Sequence, residues 1–202
     1  MPRLAAVLLA LLLAACGGGP QLSPLTEEAV LLAFGDSLTA GNGAGKDESY
    51  PAVLSRTLGR TVVNAGIPGE ESAEGLARLP GVLDEVHPDL VLLCHGGNDL
   101  LRKRDPARLS ANLRAMVELA QESGASVMLI GVPRPSLFLG THPLYRELAD
   151  ELGLPIEDEA LGDILADPAL KSDAIHPNAA GYRLLAGAVH KTLVRARAVA
   201  GD

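Results

Sequence analysis

Residues 30–39 read VLLAFGDSLT, and this stretch decides the fold of the chain. Its first five residues are apolar and uncharged, which is typical of a strand that helices cover on both faces. The run ends at Gly35, Asp36 and Ser37, so a serine follows the carboxyl end of a buried strand. Ligands bind at that edge of an open α/β sheet, because the loops there vary while the strands below stay rigid. Ser37 is therefore the first candidate for chemistry.

Strand and helix patterns alternate through the rest of the chain. We predict strands over 61–64, 89–94, 126–132 and 154–156, and helices over 49–58, 70–86, 106–122 and 177–199, with one more that ends at 152. Right-handed crossovers between such strands predict a parallel sheet with helices on both faces. The predicted fold class is α/β, a flavodoxin-like three-layer α/β/α sandwich around a parallel five-stranded sheet. The length of 202 residues suits one such domain.

The first 15 residues have the composition of a signal peptide. One basic residue, Arg3, precedes twelve apolar residues, which are too few to cross about 30 Å of hydrocarbon as a helix. Cys16 follows, and the segment LAAC that it ends resembles the lipobox of bacterial lipoproteins, in which that cysteine is acylated. We predict a signal peptide over 1–15, a lipidated Cys16 with a flexible tether over 16–28, and a domain over 29–202.

This N-terminus implies a location in the bacterial cell envelope, with the protein anchored in a membrane through lipid and facing the periplasm. Stable anchoring requires several buried acyl chains, and the motif puts the cysteine at the cleavage point. An ordinary secretory signal with a chance cysteine is the alternative, and it implies a soluble periplasmic or secreted protein.

The composition narrows the classes of partner. A formal net charge of -8 repels nucleic acid phosphates and offers no polybasic patch for anionic lipid. The sequence has no tryptophan, three tyrosines and two phenylalanines, which argues against aromatic platforms for bases or sugars. Cys94 lies inside an apolar run and is expected to be a small core residue. We expect a monomer without a nucleic acid partner.

A base for a serine nucleophile is expected at the same edge of the sheet. The segment DAIHP places Asp173 three residues before His176, so one turn brings carboxylate and imidazole to the same side. The segment DEVHP offers the same spacing at His87. His87 comes just before the third strand, at the amino edge of the sheet and about a strand's length from Ser37. Topology therefore favours His176 as the base.

Two further positions end predicted strands and offer hydrogen-bond donors to an oxyanion. Gly66 follows the second strand, where a missing side chain lets a backbone N–H approach a substrate. Asn98 follows the third strand and offers a side-chain amide. The backbone N–H of Ser37 is the third predicted donor, at the start of a helix whose dipole favours negative charge.

Four segments resemble the sequence blocks of the GDSL, or SGNH, family of esterases and lipases. They are GDSL over 35–38, NAG over 64–66, GGND over 96–99 and DAIHP over 173–177. The resemblance spans most of residues 30–190 and is nearest to the branch of multifunctional thioesterases, arylesterases and lysophospholipases. It implies the SGNH hydrolase fold and a serine esterase.

The resemblance also implies the reaction, which is acyl transfer through a serine ester. His176 takes the proton of Ser37 and Asp173 fixes the tautomer of the imidazole. The N–H of Ser37, the N–H of Gly66 and Nδ2 of Asn98 hold the oxyanion. No cofactor and no metal takes part, and the expected substrates are small-molecule or lipid esters with aryl or short-to-medium acyl groups, with thioesters and lysophospholipids also open.

Three apolar residues in the loop after the fourth strand are candidates for the wall of an acyl or aryl pocket. They are Leu137, Phe138 and Leu139. Packing into the core is an equally good interpretation of these three side chains. Sequence does not distinguish among ester substrates, because discrimination depends on the shape of the pocket.

Other functions stay open at this point. A carbohydrate O-deacetylase of the same fold would use the same residues. A metal-dependent phosphoesterase would use side chains at the same edge as ligands, although no pair of histidines has metal-ligand spacing. Its candidate ligands are Asp36, His95, Asn98, Asp99 and His176. A catalytically silent lipoprotein would only bind acyl ligands.

Overall fold

A computed structural model of the protein describes residues 19–134 and 140–201. These residues contain a five-stranded parallel sheet with strand order β2-β1-β3-β4-β5. The strands are β1 (Val30–Gly35), β2 (Thr61–Gly66), β3 (Leu90–Cys94), β4 (Ser126–Ile130) and β5 (Ile156–Glu157). The helices are α1 (Ser37–Ala40), α2 (Tyr50–Leu58), α3 (Ser72–Val86), α4 (Gly97–Leu101), α5 (Pro106–Glu122), α6 (Pro143–Leu152), α7 (Ala160–Ala166) and α8 (Ala179–Arg195). This architecture confirms the predicted α/β fold with a parallel five-stranded sheet.

Two groups of helices pack beside the sheet, with α8 against α2 and α7, and α5 against α3 and α6. The central strands β1 and β3 are buried almost throughout, as their uncharged apolar sequences require. β2 lies at one edge and is only half-buried. The chain places β2 on one side of β1 and β3 on the other, which opens a crevice above the carboxyl ends of these strands. Ser37 lies at this crevice, directly after β1.

Some element boundaries differ from those predicted. β2 runs two residues further than predicted, to Gly66, and β4 stops two residues earlier, at Ile130. α8 begins at Ala179 instead of Pro177, because the Asn178 side chain accepts two N–H groups of the first turn and caps the helix there. The short helices α4 and α7 are not predicted, because five and seven residues are too few to show the spacing of apolar residues that marks a helix.

The domain begins earlier in the chain than predicted. The N–H of Leu22 donates to the carbonyl of Ala196 at 2.9 Å, and the N–H of Leu25 donates to the carbonyl of Ala198 at 2.8 Å. Both leucines also pack against the core. From Leu22 onward, residues of the predicted 16–28 tether therefore belong to the domain.

The predicted signal peptide and the predicted lipidation site Cys16 lie outside the described residues. Within residues 19–134 and 140–201, no helix combines the length and the apolar character that a bilayer crossing needs.

Buried tyrosines connect the helices to the loops at the carboxyl edge of the sheet. Tyr145 of α6 donates its hydroxyl to the carbonyl of His95 at 2.7 Å, and Tyr182 of α8 donates to the carbonyl of Asn42 at 2.8 Å. Both rings are fully buried. Cys94, at the end of β3, is also fully buried, as expected for a core residue. The loops that follow β1 and β3 are therefore supported from within the core.

Gly75 of α3 provides space for a buried side chain. A Cβ at this position would lie 2.3 Å from His95 Nε2. The His95 ring is fully buried and both of its nitrogens have hydrogen-bond partners. The ring therefore has little freedom to move away from a methyl group. Gly81 lies on the same helix, and its Cβ position has no atom within 4 Å.

We predict that Gly75→Ala destabilises the protein. Alanine normally stabilises a helix by about 1 kcal/mol relative to glycine. The overlap with His95 should reverse that sign and lower the free energy of unfolding by about 1–3 kcal/mol. Gly81→Ala is the matched control and should be neutral or stabilising. Urea denaturation followed by circular dichroism measures both variants, and equal stability of the two would contradict the crowding at Gly75.

Candidate active site

Ser37 is the first residue of α1 and follows a sharp turn at the end of β1. Asp36 caps this helix with Oδ1, which accepts the N–H of Leu38 at 3.1 Å. Its Oδ2 accepts the N–H of Gly97 at 3.2 Å, so the same carboxylate also contacts the loop after β3. The N–H of Ser37 itself donates to no protein acceptor within the described residues. This N–H is one of the unpaired donors that begin a helix.

Burial raises the pKa of Asp36, and hydrogen bonds from the backbone N–H groups of Leu38 and Gly97 act in the opposite direction. The imidazole of His176 donates its hydrogen bond to Asp173 and not to Asp36, although both carboxylates are near the site. Asp36 thus holds backbone groups of two loops in place.

The structure brings Ser37, His176 and Asp173 together in a hydrogen-bonded line. His176 Nε2 lies 2.9 Å from Ser37 Oγ, and His176 Nδ1 lies 2.8 Å from Asp173 Oδ2. A carboxylate only accepts hydrogen bonds, so Nδ1 carries the proton and Nε2 has a lone pair for the serine hydroxyl. Asp173 Oδ1 also accepts the N–H groups of Ile175 and His176, at 2.8 and 2.9 Å. Burial raises the pKa of Asp173, but these hydrogen bonds outweigh it and hold the pKa below its usual range.

A short loop between α7 and α8 presents His176 at the carboxyl edge. The N–H of Ser172 donates to the carbonyl of His176 at 2.9 Å, and Lys171 forms an isolated antiparallel bridge with Pro177. The loop rests on Gly43, where a Cβ would lie 2.1 Å from Ser172 Oγ and no side chain fits. Gly43 also has a φ of +96°, which favours glycine.

His87 lies away from this cluster. It ends α3 with a φ of 48° and comes directly before β3, at the amino edge of the sheet. Parallel strands put Ser37 and His176 at the opposite edge. The second Asp-x-x-His segment therefore belongs to a helix-to-strand connection.

Asn98 lies in the first turn of α4 and borders the cavity beside Ser37 and His176. Its side-chain Nδ2 donates to the main-chain carbonyl of Glu70 at 3.0 Å. An amide nitrogen has two N–H groups, so this contact leaves a second one for the cavity.

Gly66 is not brought to the cavity. Its N–H donates to Asn64 Oδ1 at 3.0 Å, so the donor predicted for an oxyanion is already occupied. A Cβ on Gly66 would lie 2.1 Å from the backbone nitrogen of Ala40. Glycine is therefore required at this position by the close packing of α1 on β2.

Gly69, three residues further on, differs from Gly66 in the state of its backbone N–H. Residues 67–70 form a turn in which the N–H of Glu70 donates to the carbonyl of Ile67 at 3.3 Å. Pro68 at the second position and a φ of +83° at Gly69 fit a type II turn. The N–H of Gly69 has no protein acceptor in the described part of the chain. Gly69 also adjoins Glu70, whose carbonyl accepts a hydrogen bond from Asn98. In the sequence, the dipeptide Pro68-Gly69 was the signal that could have indicated this turn.

Glu70 is a buried carboxylate that sequence reasoning missed. It pairs with Arg78 at 2.7 Å and lies 3.1 Å from His95 Nε2. Burial raises the pKa of Glu70, but hydrogen bonds from Arg78 and His95 outweigh it and lower the pKa to about 2. His95 is fully buried and hydrogen-bonded behind the site. Arg78 and His95 lie 8 and 25 residues from Glu70 in the sequence, so no local pattern links the three.

A cavity of about 300 Å³ opens beside Ser37, Asn98 and His176. Most of its other lining is apolar: Leu38, Leu101, Val132, Pro133, Leu165, Ala174 and Ile175. The predicted pocket residues Leu137, Phe138 and Leu139 lie outside the described residues. Among the described side chains, no group of three or more His, Cys, Asp or Glu residues has an arrangement that could hold a metal ion.

A carboxylate, an imidazole and a serine hydroxyl joined in this order, above the carboxyl edge of a parallel sheet, define the class of serine hydrolases. Residues 33–184 match the model of the GDSL-like Lipase/Acylhydrolase family. The chain belongs to this family, as the four sequence blocks predict.

Individual relatives agree with this assignment. Esterase TesA of Pseudomonas aeruginosa is 41% identical over 131 residues, which cover 62% of this chain and 65% of the relative, just under two thirds of its length. An arylesterase of Vibrio mimicus is 33% identical over 176 residues, which cover 82% of this chain and 88% of the relative. The crystal structure of TesA superimposes with a TM-score of 0.76 at 34% identity and covers 83% of this chain and 99% of the other. These neighbours confirm the SGNH hydrolase fold.

Proposed function

We propose that the protein is a serine esterase that hydrolyses carboxylic esters through an acyl-Ser37 intermediate. The main support is the distance of 2.9 Å from His176 Nε2 to Ser37 Oγ, together with the hydrogen bond from the other imidazole nitrogen to Asp173. The names esterase and arylesterase of the relatives agree with this proposal.

The first half of the reaction acylates the serine. His176 Nε2 takes the hydroxyl proton as Ser37 Oγ attacks the carbonyl carbon, and a tetrahedral oxyanion forms. Asp173 keeps the other proton on Nδ1 and stabilises the imidazolium. The imidazolium then gives its proton to the leaving alcohol oxygen, the bond to that oxygen breaks, and acyl-Ser37 remains. Water repeats these steps in the second half and releases the acid and the free serine.

Three N–H groups are proposed to hold the oxyanion. They are the backbone N–H of Ser37, Nδ2 of Asn98 and the backbone N–H of Gly69, which replaces Gly66 in this role. The support for Gly69 is its unengaged N–H beside the carbonyl that orients Asn98. Donors that are fixed in place before the reaction stabilise the developing charge most effectively.

The proposed substrates carry an aryl or a short-to-medium acyl group. The cavity of about 300 Å³ is at the small end for ligand sites and its walls are mostly apolar. An apolar wall suits hydrocarbon better than the hydroxyls of a glycan, so it favours acyl or aryl esters over acetylated carbohydrates. The wall gives no preference between oxygen esters, thioesters and lysophospholipids.

We predict that Ser37→Ala and His176→Ala each abolish hydrolysis of p-nitrophenyl esters. The proton transfer from hydroxyl to imidazole needs both groups. Ser37→Ala should also prevent covalent labelling by a fluorophosphonate probe. The control is His87→Asn, because asparagine tolerates the left-handed backbone at this residue and His87 is distant from the site. Full activity of Ser37→Ala, or loss of activity in His87→Asn, would contradict the proposal.

We predict that Asn98→Ala lowers kcat by about 10² to 10³, or roughly 3–4 kcal/mol, with little change in KM. The N–H that faces the cavity stabilises the oxyanion, which forms after substrate has bound, and makes no proposed contact with the bound ester before that. Asn64→Ala is the control, since Asn64 contacts the Gly66 N–H and does not line the cavity. Steady-state kinetics on p-nitrophenyl butyrate measures both. A loss below fivefold in Asn98→Ala would remove this residue from the oxyanion site.

We also propose that the mature protein is a lipoprotein of the bacterial envelope, which faces the periplasm. The support is the lipobox-like segment before Cys16. Cys16→Ser should prevent incorporation of radiolabelled palmitate and shift the protein from the membrane fraction to the soluble fraction of expressing cells. Its kcat should be unchanged, because Cys16 precedes the domain. A variant that stays in the membrane fraction would contradict anchoring through this cysteine.

A further inference from the structure

One hydrogen bond orients the side-chain amide of Asn98. Its Nδ2 donates to the main-chain carbonyl of Glu70 at 3.0 Å. An amide NH₂ group is planar, so a hydrogen bond that fixes one N–H also fixes the direction of the other. The position of the Glu70 carbonyl therefore decides where the second N–H of Asn98 points.

Glu70 is held by its side chain. Its Oε1 accepts from Arg78 Nε at 2.8 Å and its Oε2 accepts from Arg78 Nη2 at 2.7 Å. Such a two-point pair between guanidinium and carboxylate fixes orientation as well as distance. The carbonyl and the side chain of Glu70 share one Cα, so the pair with Arg78 restrains both. The preceding turn residues 67–69 are exposed and give less support.

The partners of Glu70 are themselves held by strands. The Arg78 guanidinium lies 4.2 Å from the centre of the Phe34 ring and donates to the carbonyl of Ala65 at 3.1 Å. His95 Nδ1 accepts the N–H of Gly96 at 2.9 Å, so Nε2 of the neutral ring carries the proton that Glu70 accepts. Phe34 belongs to β1, and His95 directly follows β3.

We propose that the Arg78–Glu70 pair is a positioning device for Asn98. Arg78 is not among the residues that line the cavity, and its route to the reaction is through the Glu70 carbonyl and the Asn98 amide. This inference rests on the proposed function, in which Asn98 donates to the oxyanion. The pair links β1 to the donor that follows β3, so nucleophile and oxyanion donor keep a fixed separation.

A conservative change at Arg78 should leave the fold intact. The start of α3 has a separate attachment, because Asp99 accepts both the N–H and the hydroxyl of Ser72, at 2.8 and 2.6 Å. Arg78→Lys keeps the positive charge beside Glu70 but loses the two-point geometry. The expected result is a misdirected Asn98 amide in a folded protein.

A double-mutant cycle between Arg78 and Asn98 tests this coupling. Arg78→Lys alone should lower kcat about tenfold with KM within twofold, since small misplacements of a catalytic group are costly. In the Asn98→Ala background the same change should lower kcat by less than twofold. The inhibition constant of a trifluoromethyl ketone, which forms a tetrahedral adduct with Ser37, should rise by the same tenfold factor in Arg78→Lys. Thermal denaturation verifies that each variant is folded at the assay temperature.

Arg114→Lys is the matched control, because Arg114 pairs with Glu151 away from the site. Its kcat should equal that of the wild type. An equal loss from Arg78→Lys in both backgrounds would show a general structural effect and overturn the positioning role. So would an unchanged kcat in Arg78→Lys, or an Asn98→Ala variant with full activity. Each of these outcomes leaves Ser37-dependent hydrolysis in place, whereas full activity of Ser37→Ala overturns the proposed function itself.

Discussion

The site depends on a buried carboxylate that two loops share. Asp36 accepts one N–H from α1 and one from the start of α4, and these short helices carry Ser37 and Asn98. A buried N–H without a partner is costly, so both loops have to approach the same carboxylate. The uncharged strands β1 and β3 bring them within reach. Asp36 thus fixes the distance between Ser37 and Asn98, which follow the neighbouring strands β1 and β3.

The two sides of the site are built differently. The Asp173 side chain is 53% exposed, and it is held by N–H groups of its own short loop. The Glu70 side chain is only 6% exposed and is held by groups from α3 and from the end of β3. The base His176 is therefore positioned by hydrogen bonds within one loop. The proposed oxyanion donor Asn98 is positioned by contacts between separate elements of the fold. A carboxylate that accepts several hydrogen bonds can stay ionised in either setting.

The features of the fold that the sequence predicts correctly, such as the apolar run of β1 and the pattern of each longer helix, have local signals. The Asp-x-x-His spacing is local as well. Strand direction alone then distinguishes His176 from His87. The choice between Gly66 and Gly69 has no such signal, because both glycines lie near the carboxyl end of β2 and only the structure shows that Asn64 occupies the N–H of Gly66. The network of Glu70, Arg78 and His95 depends on tertiary contacts and appears only in three dimensions.

The first and last described segments of the chain run side by side. Leu22 and Leu25 hydrogen-bond to the residues that follow α8, and Arg60, just before β2, donates to the carbonyls of Leu25 and Thr26. This junction therefore lies at the amino edge of the sheet, with the cavity at the other edge. If the molecule is attached to a bead or a sensor chip through the segment at Leu22 or the segment after α8, the cavity beside Ser37 therefore stays open to solution.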